Sequence, residues 1–186
     1  FAQKDIGTVY LEPFIAHYYT LSLTHGLVGR KSEIASLNKW VSSFSYPSVL
    51  CIAAIGGMGK STLAWHLFNN VPLASDSYFK GKVWWSFYDS DSRFESFITA
   101  SLAYVSNRSF QEVESMPLRE QEELLIKLLD KDRFLFVLDG FERTLIGYAP
   151  ENTDRNTDCF ESNLRLAKMA NPRYGVLLRR LATLKA

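Results

Sequence analysis

Residues 49–62, "VLCIAAIGGMGKST", join an apolar run to a glycine-rich turn that carries a lysine and two hydroxyls. The run Val49–Ile55 has no polar alternation, which favours a strand buried on both faces. After the turn, apolar residues recur at helical spacing over residues 63–71. The stretch therefore predicts a buried strand, a tight loop and a helix, in that order.

The loop follows the pattern G-x-x-x-x-G-K-[ST] of a P-loop, with Ala54 standing where the first glycine belongs. Glycine lets successive amides turn toward phosphate oxygens, and the following helix presents its positive end to them. Ala54 is tolerable if its backbone angles suit an L-residue. The alternative is a glycine-rich strand-to-helix turn beside a surface lysine.

Each polar residue of the loop has a role in this interpretation. Lys60 would reach the β- and γ-phosphates as a point charge. Ser61 would place its hydroxyl on Mg²⁺, which prefers oxygen ligands, and Thr62 would lie near the α-phosphate. The expected ligands are ATP or ADP with Mg²⁺.

A second acidic motif ends the apolar run "RFLFVLDG" at residues 133–140, which predicts another buried strand. Because carboxyl ends of parallel strands meet at one edge of a sheet, we expect Asp139 to lie near Lys60 and to hold Mg²⁺ through water. The alternative is a strand-terminal aspartate that caps a turn. Glu142 is the candidate for orienting the attacking water; its alternative is a solvated carboxylate paired with Arg143.

The remaining pattern predicts the other elements of an α/β domain. Apolar spacing favours helices over "KSEIASLNKWV", after a Ser92–Glu95 capping box, after Pro117, and over two later stretches, while "KVWWSFY" favours a buried strand. Residues 147–158, "GYAPENTDRNTD", are expected to form a polar surface loop. This order predicts a three-layer α/β/α fold of the P-loop NTPase type around a parallel sheet.

Composition narrows the class of protein. The chain has 186 residues, 47% of them hydrophobic, and a net charge of +1, which gives no electrostatic reason to expect nucleic acid or a membrane as a partner. No apolar run approaches the length of a membrane span. Cys51, inside the apolar run, is expected to be a small buried hydrophobe, and the two separated cysteines favour a reducing, cytoplasmic compartment.

The ends of the chain suggest its organisation. Residues 1–26 mix aromatics without a clean period, and we interpret them as a linker from an N-terminal domain. Residues 27–186 would form the nucleotide-binding domain. The chain starts at Phe1 and ends within a helix-like pattern, so we expect a piece of a longer protein whose sheet is incomplete here.

Three stretches together resemble the STAND class of signal-transducing P-loop ATPases, the NACHT and NB-ARC relatives. They are "LVGRKSEIASLNKWV", "AIGGMGKSTLA" and "FLFVLDGFE", and "WWSFYDSDS" is similar to bacterial members. The resemblance covers roughly residues 27–142. The residues after Asp139 follow the NACHT variant except that Arg143 replaces a second acid, so the subfamily stays open.

The resemblance implies further roles. Leu27 and Val28 would touch the adenine, and Arg30 would support the nucleotide pocket or an interdomain contact. The cradle for phosphates and magnesium would consist of Gly56, Gly57, Met58, Gly59, Lys60, Ser61 and Thr62. Asp139 would be the Walker B acid.

The same resemblance implies a molecular switch. Such proteins rest with ADP, sense a ligand through a C-terminal domain, exchange ADP for ATP, and self-associate so that N-terminal effector domains meet. Bacterial members serve in antiphage defence. The trigger and the effector output are not legible in these residues.

In this class a later strand carrying a sensor arginine lies between the P-loop strand and the Walker B strand. The one candidate, "VLLRRLA" at residues 176–182, would make Arg179 or Arg180 the sensor. Its leucines, however, follow helical spacing, and a helix there would leave a gap in the sheet.

Two other functions fit the same motifs. The chain could hold ADP or ATP for oligomerisation without useful turnover, or it could be a P-loop phosphotransferase. The second would need an acceptor pocket and a mobile lid, and the V-G-R element argues against it.

Overall fold

A computed structural model describes residues 11–16, 27–43, 48–72, 79–88, 93–145, 169 and 171–184. The strands are β1 (Phe14–Ile15), β2 (Gly81–Ser86) and β3 (Phe134–Asp139). The helices are α1 (Lys31–Val41), α2 (Lys60–Asn70), α3 (Phe94–Ser106), α4 (Phe110–Glu114), α5 (Leu118–Lys131) and α6 (Pro172–Leu181), with a 3₁₀ turn at Phe141–Thr144.

The sheet is parallel, in the order β1-β2-β3. β2 and β3 pair along their whole length, from Gly81 opposite Phe134 to Ser86 opposite Asp139. The parallel α/β architecture predicted for a P-loop NTPase is therefore confirmed. The short strand β1 was not predicted, because two paired residues are too few to produce a period in the sequence.

The alternation of side chains along β2 separates two helical layers. Trp84 meets Trp65 and Phe68 of α2 edge-on on one face, with ring centroids 4.9 and 5.8 Å apart. On the other face Trp85 meets Phe97 of α3, at 5.4 Å. Both tryptophans are buried, as expected for a mid-strand position. Helices α1 and α2 thus form one layer, and α3, α5 and α6 belong to the core on the other face.

Alternation along β3 decides where its last residue points. Leu135 belongs to the core that α1 and α2 share, whereas Phe134 and Phe136 pack on the opposite core. Asp139 is four residues beyond Leu135 and so projects from the same face. The strand therefore ends with a carboxylate on the side of the sheet where α2 lies.

Several predicted helices are confirmed. α1 covers the predicted stretch, α2 begins at Lys60, α5 begins directly after Pro117, and residues 176–181 lie in α6. The last result places Arg179 and Arg180 in the final turn of a helix, so neither lies on an inserted strand.

The capping box was predicted at the wrong helix. α3 begins at Phe94 with Arg93 as its N-cap and no side-chain cap, and Ser92 lies outside the described residues. A capping box instead opens α4, where Ser109 and Glu112 bond each other's backbone amides. The S-x-x-E spacing occurs both at Ser92–Glu95 and at Ser109–Glu112, but only Ser109 is the N-cap of a helix.

The strand predicted at Val49–Ile55 is absent from the described structure. These residues have no strand assignment, and Ile55 is 84% exposed. Cys51 is likewise exposed rather than buried. The physical reason is the lack of a partner: among the described strands β3 pairs only with β2, so no neighbour satisfies the backbone of residues 49–55.

The same missing neighbour changes β3. It was predicted as a buried strand, but only Leu135 is fully buried and the other five residues are half-buried. β2, with a strand on each side, is buried from Gly81 to Trp85.

Some predictions fall elsewhere in the chain. The polar loop at residues 147–158 and most of the helix-like stretch at 160–170 lie outside the described residues. Within the described part, no helix combines the length and apolarity needed to cross a membrane.

Candidate nucleotide-binding site

The glycine loop has the backbone expected of an anion cradle. Gly57 and Gly59 both have φ of +79°, a left-handed conformation that glycine adopts without strain. Ala54 is not among the described residues with positive φ, so the substitution of the first glycine is compatible with the loop. A Cβ added at Gly56, Gly57 or Gly59 would meet nothing within 4 Å, so the space beside these three glycines is open.

The loop leads directly into the N-terminus of α2. Gly59 is the N-cap and no side chain caps the helix. The first amide to bond back is that of Leu63, which donates to the Gly59 carbonyl at 3.0 Å. The amides before it, from Lys60 to Thr62, belong to the orphan donors of a helix start, which favour an anion.

Ser61 and Asp139 are in direct contact. The Ser61 hydroxyl donates to Oδ1 of Asp139 at 2.6 Å. Burial raises the pKa of Asp139, and the Glu142 charge adds to this, while the Ser61 hydrogen bond acts in the opposite direction. Two motifs 78 positions apart in sequence thus meet at one point, with two oxygen donors suited to Mg²⁺.

Lys60 remains within its own loop. Its Nζ donates to the carbonyls of Ala54 at 2.9 Å and Ile55 at 3.3 Å. The Lys60 ammonium therefore lies beside the glycine loop at the N-terminus of α2, next to Ser61 in sequence.

Arg30 ties α1 to the tip of the loop. Its guanidinium donates to the Met58 carbonyl and to Oε1 of Glu33, both at 2.8 Å. Hydrogen bonds from Ser32 and Arg30 lower the pKa of Glu33 to about 2. Leu27 packs on the core beneath α1, whereas Val28 is 88% exposed.

Glu142 has a partner that the sequence did not reveal. Oε1 of Glu142 accepts a hydrogen bond from the Tyr88 hydroxyl at 2.9 Å, and this contact is the main reason that the pKa of Tyr88 rises to about 12. Arg143, the alternative partner of Glu142, lies over the Tyr88 ring at 4.7 Å instead. Tyr88 lies two residues beyond Ser86, the last residue of β2, and the parallel pairing of β2 with β3 was the signal that could have suggested the contact.

The two strand ends are joined by backbone as well. The Phe87 amide donates to the Asp139 carbonyl at 2.8 Å, one step past the last paired residues. Gly140 follows with φ of +70°, which turns the chain into the 3₁₀ turn that carries Glu142.

The donor set fits a magnesium–nucleotide pair. The uncapped helix start and the open glycine loop suit phosphate oxygens, and the hydroxyl and carboxylate at 2.6 Å are oxygen ligands. The predicted residues from Gly56 to Ser61, together with Asp139, therefore belong to one continuous surface. Thr62 lies in the first turn of α2. Val28 is exposed and lies two residues before Arg30, whose guanidinium donates to the Met58 carbonyl.

Comparison with known families decides between the two subfamilies. The model of the NB-ARC domain matches residues 30–145, more than half of the chain. The chain belongs to the NB-ARC domain family. The matched range contains α1, the glycine loop, β2, β3 and Glu142, which are the elements that build the site.

A relative supports the same assignment. Over 139 residues, 74% of this chain, the NB-ARC chain is 29% identical to a protein named as disease resistance protein RGA1, from Solanum bulbocastanum. The match spans 13% of that relative's length. No solved structure matches the chain. The NB-ARC assignment makes this chain a nucleotide-binding module of the STAND type with an α/β P-loop fold.

Proposed function

We propose that this chain is the switch domain of a STAND signalling protein, which binds ATP or ADP with Mg²⁺ and hydrolyses ATP slowly. The observation that carries the proposal is the 2.6 Å contact between Ser61 at the start of α2 and Asp139 at the end of β3. The fold brings these two motifs to one edge of the sheet, where they offer a hydroxyl, a carboxylate and a helix start together.

The proposed roles follow from position. The amides from Gly56 to Thr62 hold the phosphates, and Lys60 leaves its loop carbonyls for the β- and γ-phosphates. Ser61 and Asp139 hold Mg²⁺, the latter through water. Arg30 keeps the loop tip in place through Met58, and Leu27 and Val28 line the adenine side. Mg²⁺ would neutralise charge on the phosphate oxygens.

Hydrolysis would proceed by attack of water on the γ-phosphorus. The water oxygen forms a bond to phosphorus, and the bond from phosphorus to the β,γ-bridging oxygen breaks, which leaves ADP and phosphate. Glu142 orients the water and accepts its proton, which then passes to phosphate or solvent. Lys60 stabilises charge on the leaving oxygen.

The biological output of such an ATPase is a change in the conformation of the protein itself. A nucleotide shifts a bistable domain arrangement only by its differential affinity for the two states, and the γ-phosphate is the group that differs between ATP and ADP. We propose that the ATP state self-associates, that effector and sensor domains lie in the same longer protein, and that the protein acts in the cytoplasm. The similarity to RGA1, which is named as a disease resistance protein, favours a defence role, and the resemblance of "WWSFYDSDS" to bacterial members would make that role antiphage.

The proposal is tested by measuring nucleotide binding, ATP hydrolysis and the oligomeric state of the protein. We expect the purified protein carrying this chain to bind MgADP and MgATP, and to sediment as a larger species with a non-hydrolysable ATP analogue than with ADP. Failure to bind either nucleotide would overturn the proposal.

Turnover separates the switch from a nucleotide-holding module. Glu142→Gln should keep ATP affinity and lower the hydrolysis rate by roughly 100-fold, the usual contribution of a general base. Unchanged hydrolysis in that variant would remove Glu142 from the mechanism.

A further inference from the structure

We propose that Tyr88 is a positioning residue for hydrolysis, which holds the Glu142 carboxylate in the orientation that water activation requires. The proposal rests on the proposed function, in which Glu142 acts on the attacking water. The 2.9 Å hydrogen bond from the Tyr88 hydroxyl to Oε1 of Glu142 is the contact that carries it.

Tyr88 is half-exposed, and three features restrain it. Its backbone follows Phe87, whose amide is bonded to the Asp139 carbonyl. Its ring lies so close to Gly140 that a Cβ there would stand 2.5 Å from the Tyr88 Cε2 atom. The Arg143 guanidinium covers the ring at 4.7 Å from the centroid. A phenol fixed in this way aims its hydroxyl in one direction.

The direction of the Tyr88 hydroxyl matters because Glu142 lies in a short turn in which it is only half-buried. It lies in a 3₁₀ turn of four residues, where a glutamate has several rotamers of similar energy. A hydrogen bond to one carboxylate oxygen selects among them, and in the described structure the other oxygen has no protein hydrogen bond. That second oxygen is the one left for water.

The geometry also separates this role from simple charge pairing. Arg143 neighbours Glu142 in sequence, yet it stacks on Tyr88 rather than pairing with the carboxylate. Arg143 therefore supports the ring that supports Glu142. The Glu142 carboxylate thus has a neutral hydrogen-bond donor, the Tyr88 hydroxyl, rather than a positively charged partner. Its negative charge is not neutralised by that donor, so the carboxylate can still accept a proton from water.

The test is a double-mutant cycle on hydrolysis. Tyr88→Phe keeps the ring against Gly140 and Arg143 and removes the hydroxyl. We expect kcat to fall roughly tenfold with KM and ADP affinity unchanged, the loss of about one hydrogen bond to a charged group. In Glu142→Gln, the added Tyr88→Phe change should cost no more than about twofold, because the two residues act as one unit.

Tyr104→Phe is the matched control. The Tyr104 hydroxyl accepts from the Lys82 amide at 3.1 Å, at the opposite end of β2, so kcat should stay at the parent value. Equal kcat in Tyr88→Phe and the parent, or full additivity with Glu142→Gln, would overturn the positioning role.

A second readout needs no turnover. With 3-fluorotyrosine at position 88, Glu142→Gln should shift the ¹⁹F resonance, whereas Glu95→Gln, on an exposed turn of α3, should not. An unmoved resonance in Glu142→Gln would contradict the contact.

The two proposals fail differently. A parent protein that binds no nucleotide overturns the proposed function, whatever the ¹⁹F shift. A parent that binds and hydrolyses ATP while Tyr88→Phe matches it overturns the role of Tyr88 alone. A parent that binds MgATP without any turnover overturns the positioning role, because no reacting water is then positioned.

Discussion

The Ser61 hydroxyl donates to the Asp139 carboxylate at 2.6 Å, joining the first turn of α2 to the end of β3. Neither element alone would form a metal site, since each contributes one oxygen donor. Their contact depends on the face of β3 from which Asp139 projects, and that face is fixed by the burial of Leu135 against the α2 layer. The core of the domain therefore sets the geometry of the site.

The first prediction concerns the carboxylate. Asp139→Asn should lower the affinity for Mg²⁺ in the nucleotide complex by roughly 10- to 100-fold, the usual loss when an outer metal partner is changed. The amide still accepts a hydrogen bond from Ser61, so the fold should be retained. Titration of Mg²⁺ into the ADP-bound protein measures the effect.

Asp132→Asn is the matched control, because Asp132 pairs with Lys80 at the other end of β3. Mg²⁺ affinity should be unchanged in that variant. Equal Mg²⁺ affinity in the parent and in Asp139→Asn would remove Asp139 from the metal site.

The second prediction concerns the stability of the domain when either of two glycines is replaced by alanine. Gly140→Ala should destabilise the domain, because φ of +70° costs an L-residue about 1–2 kcal/mol and the new Cβ would overlap the Tyr88 ring. Gly175→Ala should instead stabilise by up to about 1 kcal/mol, since Gly175 lies inside α6 and an added Cβ would be 3.9 Å from Met169.

Urea unfolding of both variants gives the comparison. The free energy of unfolding should fall in Gly140→Ala and rise in Gly175→Ala, although both variants add the same methyl group. A Gly140→Ala protein as stable as the parent would contradict the left-handed turn that carries the chain from Asp139 to Glu142.

Much of this site could be predicted from the sequence because the structure of its motifs is determined by neighbouring residues in the chain. The glycine loop, its helix and the acid after "FLFVL" depend on backbone rules, and the structure brings Ser61 and Asp139 together as the parallel-strand argument requires. The resemblance named two families, and the match of residues 30–145 selects NB-ARC. The roles of the individual site residues remain predictions.

What the sequence could not supply depends on neighbours in space. The apolar run Val49–Ile55 has the composition of a buried strand, but without a paired neighbour among the described residues it stays exposed. Tyr88 lies within "WWSFYDSDS", but that stretch predicted no role for it, and its contact with Glu142 depends on the adjacent ends of β2 and β3. The strand at Phe14–Ile15 was not predicted for a related reason, since it consists of two residues that are defined by their pairing with Val83 and Trp84 of β2.

The third prediction concerns a buried cation. Lys82 in β2 donates to the carbonyls of Phe68 at 2.6 Å and Val71 at 2.9 Å, where α2 ends. Lys82→Met should destabilise the domain by about 1–3 kcal/mol, because these carbonyls would lose their partner and α2 would lose a positive charge at its C-terminus. Lys80→Met, which removes a half-exposed pair with Asp132, should stay within about 1 kcal/mol of the parent.

The pH dependence gives Lys82 its own signature. Burial lowers its pKa below the ordinary 10.5, so the unfolded chain binds this proton more tightly than the folded one. The parent should therefore gain stability relative to Lys82→Met as the pH rises from the lowered pKa toward 10.5. A difference that is constant or falling as the pH approaches 10.5 would contradict the lowered pKa of Lys82.

The most direct test of the central claim is nucleotide titration of Lys60→Ala beside Lys127→Ala, an exposed lysine on α5. The account predicts that the first variant loses most of its affinity for MgATP while the second binds as the parent does. A Lys60→Ala protein that holds MgATP as tightly as the parent would show that the loop at the start of α2 is not where the phosphates bind.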